Sequence, residues 1–170
     1  GAFNGFIITK SKIAPFIVTL GTMTIGRGLA LILSNGRPVS NLSEPFVFIG
    51  SGKIMNIPVL IVILVLMFIL CSIILNKTIL GRYIYAVGGN EQAARASGIN
   101  VTQVKMAVYS ISGLLAGLAG ILLTSRITTG QPNAGAGFEL DAIAAVVIGG
   151  TSTTGGKGTI AGTLIGVLLI

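Results

Sequence analysis

The chain has 170 residues, is 52% hydrophobic and only 9% charged, and carries a formal net charge of +7 without His or Trp. A soluble domain holds about 25% charged residues, so a chain of mean hydropathy +0.96 lacks the polar surface to stay in water and belongs in a bilayer. Its cations lie between apolar segments with no basic face and no aromatic platform, which speaks against nucleic acid as a partner.

The single Cys71 rules out a disulfide framework and a thiol metal site, and the four acids, Glu44, Glu91, Glu139 and Asp141, leave few catalytic options. The expected fold is an all-α polytopic transmembrane bundle in a single domain over 1–170. The chain starts at Gly1 without Met and stops at Ile170 in an apolar pattern, which reads as the interior of a longer membrane subunit.

In chain order, residues 13–33 are the first stretch long enough to cross, with Arg27 near the end. A cation at the centre of a span costs about 2.5–3.5 kcal/mol. Near the outer end its stem can snorkel to the headgroups, so snorkelling or pairing with Glu44 is expected rather than solute contact. Thr19, Thr22 and Thr24 offer hydroxyls to a polar solute in a translocation pathway, against the alternative that they bond their own backbone.

The clearest span is PVLIVILVLMFILCSIIL, residues 58–75, 18 residues without a charge, and MAVYSISGLLAGLAGILL, residues 106–123, equals it in length. At about 1.5 Å per residue each covers most of a hydrocarbon core of about 30 Å. Residues 159–170 begin a further span. Lys10 and Lys12 precede the first span, and the loop 76–105 holds Lys77, Arg82, Arg95 and Lys105 against Glu91. The loop 34–57 has only Arg37 and Lys53, and the stretch after 123 has Arg126 against Glu139 and Asp141. Positive charge marks the cytoplasmic side, which places the loop 76–105 there.

Inside that loop stands GGNEQAARASGIN. Asn90 is a good N-cap, Glu91 puts an acid on the first turn, Gln92, Ala93, Ala94, Arg95, Ala96 and Ser97 are helix-compatible, and Gly98 suits the left-handed residue after the last turn. Two turns of helix do not hold alone in water. Either a cytoplasmic partner packs on the segment, or it lies on the protein's own membrane domain.

Glycines recur at helical spacing: Gly113 and Gly117, Ala116 and Gly120, and then Gly158, Gly162 and Gly166, each four apart. Such faces let backbones approach, within the subunit or across a dimer. Residues 140–149 give only about 15 Å of helix before a run of Gly, Ser and Thr. In the element 139–158 this reads as a re-entrant half-helix whose Thr151 and Ser152 border a solute route, or as a plain loop at one membrane face. GGTSTTGGKGT imitates a phosphate-binding loop, but Thr151 stands where Gly is needed and Gly158 where Ser or Thr is needed. Ser152 and Lys157 are the only loose candidates for intramembrane catalysis, so no enzyme is expected.

The run GRYIYAVGGNEQAARASGINV, with Gln92-Ala93-Ala94 and Gly98, resembles the coupling segment of ABC importer permeases, in the version of the ribose and related monosaccharide importers. GAFNGFIITKSKIAPFIVTLGTMTIGRGLALIL, SGLLAGLAGIL and ELDAIAAVVIGGTSTTGGKGTIAGTLIGVLLI are similar to the same family in the same order. Gln92 replaces the Glu of the broader consensus, so Glu91 or Arg95 would supply any charge pairing. The resemblance implies a multi-pass subunit of the bacterial cell membrane among membrane lipids, paired with a second permease subunit, like or unlike itself. It further implies cytoplasmic ABC ATPase subunits docking on residues 90–98, an extracytoplasmic sugar-binding protein, and no cofactor on this chain, with ATP and Mg on the ATPase. A secondary transporter or channel for a small neutral solute is the alternative.

Overall fold

The computed structural model describes residues 1–11 and 13–170; Lys12, one of the cations used to orient the first span, lies outside the described residues. Among the described residues the fold is all-α apart from one tiny hairpin and an isolated bridge between Val39 and Gly130. In order the elements are α1 (Ala2–Ser11), α2 (Pro15–Leu33), α3 (Glu44–Ser51), β1 (Lys53–Ile54), β2 (Ile57–Pro58), α4 (Val59–Lys77), α5 (Ile79–Gly89), α6 (Glu91–Ala96), α7 (Val101–Ile127), α8 (Phe138–Ile148) and α9 (Ile160–Leu169).

Three of these, α2, α4 and α7, are long and apolar enough to cross a membrane. Their apolar side chains point outward: Leu33 is 83% exposed and Leu114 74%, while α4 has no buried residue. Water would penalise that surface, and lipid does not. The 27 residues of α7 give about 40 Å of helix, longer than the apolar stretch 106–123 because Asn100 caps it well before the apolar run starts. There, the Gln103 amide donates to Asn100 Oδ1 at 3.2 Å.

The chain divides into two compact units. The first comprises Gly1–Val65 and Met106–Ala134. Pro15, whose ring presets φ, opens α2 at its first turn. The helix stops at Asn35 and Gly36, both at positive φ, where the Gly36 amide reaches back to Leu31 O at 2.9 Å. Arg27 makes no ion pair among the described residues, so the expected pairing with Glu44 is not formed; Glu44 instead supplies the acid in the first turn of α3. Met55 and Asn56, at positive φ, turn the β1–β2 hairpin.

Helix α1 lies where the sequence pattern marks no element. It packs against α7 through Gly5, where an added Cβ would stand 3.2 Å from Tyr109 Cβ. Ser125 of α7 is fully buried and donates to Phe46 O of α3 at 2.5 Å. Ser125→Ala leaves that carbonyl short of a donor and lowers stability by about 1 kcal/mol. Thermal denaturation of the purified full-length protein in detergent reads this, and an unchanged midpoint shows that the bond contributes nothing to stability.

The second unit comprises Leu66–Lys105 and Gly135–Ile170. The stretch 76–105, a polar loop by composition, is mostly helical here. Thr78 caps α5 by accepting from the Gly81 amide at 3.2 Å, and Ile84 and Tyr85 turn toward the unit's own α8–α9 segment. Thr159 caps α9 in the same way, accepting from Gly162 at 3.0 Å. Because α9 starts only after that cap, Gly158 lies in the preceding turn. Gly162 and Gly166 alone of the expected trio share a helical face.

Candidate functional site

The candidate site is α6 with the elements that hold it, all in the second unit. Asn90 ends α5 and caps α6: its Oδ1 accepts from the Ala93 amide at 3.0 Å. At the other end Gly98, at φ +82, donates to Arg95 O, and the Ile99 amide donates to Ala94 O, both at 3.0 Å. This pair of bonds satisfies the last carbonyls of the helix and turns the chain directly into α7. Six residues of α6 are thus held between two sharp corners.

One acid ties the corners together. Glu91 accepts from Lys105 Nζ at 2.6 Å and from Arg95 at 2.9 Å, so it clamps α6 to the first turns of α7. The hydrogen bond from Lys105, then that from Arg95, hold its carboxyl below the ordinary value of 4.5. A lowered folded-state pKa contributes stability above the ordinary value, which is lost as pH falls through the lowered one. With Glu91 half-exposed, the amount is below about 1 kcal/mol. Hydrogen-exchange protection of the Ala94 and Ser97 amides, corrected for intrinsic exchange, should be level above the ordinary carboxyl value of 4.5 and fall as pH drops below it. A profile flat through the acid range would remove Glu91 from the clamp.

Ala94 is 4% exposed and, with Val101 at 2% and Val104 at 5%, forms the small core beneath the segment. Gln92, Ala93, Arg95, Ala96 and Ser97 are exposed. One face of the helix is therefore inward, through Ala94, and the Gln92, Ala93 and Ala96 side is exposed. Glu91 and Arg95 are occupied with each other.

Immediately before Asn90, α5 meets the Gly-rich turn after α8. An added Cβ on Gly88 would stand 2.7 Å from Gly156 N, and one on Gly156 2.7 Å from Gly89 Cα. Four glycines, Gly88, Gly89, Gly155 and Gly156, thus bring two backbones into contact, and Gly155 and Gly156 both need positive φ. Tyr85 fastens the contact by donating to Gly158 O at 2.8 Å. Beside it lies a cavity of about 330 Å³ lined by Ile84, Tyr85, Thr151, Ser152 and Lys157 among others.

The structure therefore brings Thr151 and Ser152 beside Ile84, Tyr85 and Gly88 of α5. The Ser152 amide donates to Lys157 O at 2.9 Å and its hydroxyl pairs with Thr154 at 2.8 Å. Behind the turn, α8 and α9 pack on glycine: a Cβ on Gly162 would strike Gly149 O and one on Gly166 would strike Ala145 O.

Thr19, Thr22 and Thr24 belong to the other unit, and each donates to a carbonyl one turn back at 2.9–3.0 Å. Gly113 touches the backbone of Gly1, whereas Gly117 has nothing within 4 Å of an added Cβ. The glycine contact to α5 and the Lys105 partner of Glu91 carry no local sequence signal. The doublets GG at 88–89 and 155–156 are the only trace of the former.

A family model described as "Branched-chain amino acid transport system / permease component" matches residues 1–170. The chain is 54% identical over 169 residues to the ribose import permease protein RbsC of Bacillus subtilis (strain 168), covering 98% of this chain and 52% of that protein. It is 48% identical over 174 residues to the ribose import permease protein RbsC of Escherichia coli (strain K12), covering 100% of this chain and 54% of the relative. Against the L-arabinose transport system permease protein AraH of the same strain it is 44% identical over 167 residues, 98% of this chain and 51% of the relative. The chain spans about half the length of the curated relatives it matches. No solved structure matches it.

Proposed function

Because the chain belongs to the branched-chain amino acid transport system / permease component family, we propose that it forms part of the membrane pathway of an ATP-driven importer for a monosaccharide such as ribose. In this reading residues 90–98 dock on a separate cytoplasmic ATPase, which holds the ATP and Mg, and the chain itself catalyses nothing. A second permease subunit completes the pathway, and an extracytoplasmic sugar-binding protein delivers solute to a multi-pass assembly in the bacterial cell membrane.

The observation that carries the reading is the two-faced α6. A six-residue helix is too short to persist alone, yet this one is capped at both ends, clamped by Glu91 and seated on Ala94, while its outer face stays exposed. A helix so anchored transmits a push instead of folding away from it. The push passes through the Asn90 corner to α5, and from Gly88 and Gly89 across the backbone contact into the turn that joins α8 to α9.

A secondary transporter is not favoured. Of the two acids on α8, Glu139 is occupied by the Gly137 amide at 3.1 Å, and the relatives named above are permease proteins.

The test is purification of the full-length parent chain from its host membranes, intact and with residues 90–98 scrambled. ATPase activity should come down with the intact chain alone. Its absence from both preparations under gentle extraction would overturn the importer reading.

A further inference from the structure

The first unit contains a cavity of about 400 Å³, on the scale of a small-molecule site, between α1, α2 and α7. Asn4 of α1, Thr19 and Thr22 of α2, and Tyr109 and Ser112 of α7 line it, with Met23 as an apolar wall. Five polar side chains from three helices thus meet at one place in a chain whose outward surface is aliphatic. Facing hydrocarbon, an amide or hydroxyl without a partner costs several kcal/mol, so helices in lipid direct such groups toward protein or water.

The chemistry of the set is selective. No acidic or basic side chain lines the cavity among the described residues, which suits a neutral solute. Thr19 and Thr22 spend their protons on Pro15 O and Val18 O at 3.0 Å and keep oxygen lone pairs for accepting. The Asn4 amide donates and accepts, as do the Tyr109 and Ser112 hydroxyls. Tyr109 and Ser112, three residues apart, share one face of α7, and Tyr109 stands about 5 Å along that helix from Met106, where the apolar stretch begins.

We propose that this cavity is a holding site for a neutral monosaccharide on its way through the pathway, with Asn4, Tyr109 and Ser112 hydrogen-bonding its hydroxyls. The assignment rests on the importer reading above and adds the place and the residues. Three donor-acceptor groups around a small apolar wall match a pentose, whose hydroxyls need mixed partners and whose C–H face packs on Met23 or the Tyr109 ring.

The test uses the full-length parent chain, its thiols including Cys71 removed, assembled with its ATPase and binding protein in proteoliposomes. Ser112→Cys should react with a small membrane-impermeant thiol reagent, and ribose-loaded binding protein with ATP should slow that reaction about tenfold. Leu114→Cys, at an outward-facing position, should stay unreactive. Asn4→Ala and Tyr109→Phe should each slow ribose uptake about five- to tenfold, the loss of one hydrogen bond.

If the unsubstituted transporter imports ribose or arabinose but Ser112→Cys is unreactive or unprotected and both other variants transport normally, the cavity is packing space and the proposal falls alone. If the unsubstituted transporter imports neither pentose, the pentose assignment of the cavity falls; if it imports no monosaccharide at all, the importer reading falls and takes the cavity with it.

Discussion

On the importer reading, Gly156→Val lowers solute uptake by more than about tenfold while the ATPase still co-purifies. Two penalties meet at this residue. A β-branched side chain at φ +74 is strained, by about 1–3 kcal/mol, and its Cβ would lie 2.7 Å from Gly89 Cα, where backbone cannot yield as a side-chain tip does. Either the turn swings off α5 or α5 shifts, and in both cases the tie between α5 and the α8–α9 turn is lost. Strain and overlap together, a few kcal/mol, are enough to shift the population of the packed arrangement more than about tenfold. Gly150→Ala is the control: φ is +83 there but nothing lies within 4 Å, so only a backbone cost of about 1 kcal/mol applies. Equal uptake by the two variants would take the clasp out of the coupling route.

Gly166→Val is expected to have the largest effect on stability. Gly166 is buried on α9, and its added Cβ would strike the Ala145 carbonyl oxygen and stand 3.0 Å from Gly149 N. Overpacking of this kind costs about 3 kcal/mol, which lowers the thermal midpoint of a protein of the curated relatives' length, about twice this chain, by about 4 °C. Differential scanning fluorimetry of the full-length parent chain in detergent reads the shift. Gly117→Val, on an open face of α7 in this chain, should move it by less than about 2 °C. If the two variants melt together, α8 and α9 do not pack as described.

The glycines show where sequence reading works and where it stops. Spacing of four marks Gly113, Gly117, Gly162 and Gly166 alike, since any of them can open a helix face. Only the neighbours decide: Gly162 and Gly166 meet carbonyls of α8 or its end, while Gly117 meets nothing. The pair Gly155 and Gly156 looked like part of a polar turn or a failed phosphate loop, and is a backbone contact to α5. Thr19 and Thr22 were nameable because a hydroxyl on an apolar span is conspicuous; Asn4 and Tyr109 were not, because neither α1 nor its packing on α7 is written in a local pattern.

Alone, the sequence determined the membrane class and the caps at Asn90 and Gly98, because hydropathy and cap chemistry act within a few residues. It also carried the family likeness. Tertiary structure decided which face of α6 is inward, that Glu91 pairs with Lys105 across two helices, and that Tyr85 reaches Gly158 over 73 positions. Such contacts depend on how packed helices close on one another, and a residue has the same local propensity whether that closure buries it or leaves it facing outward.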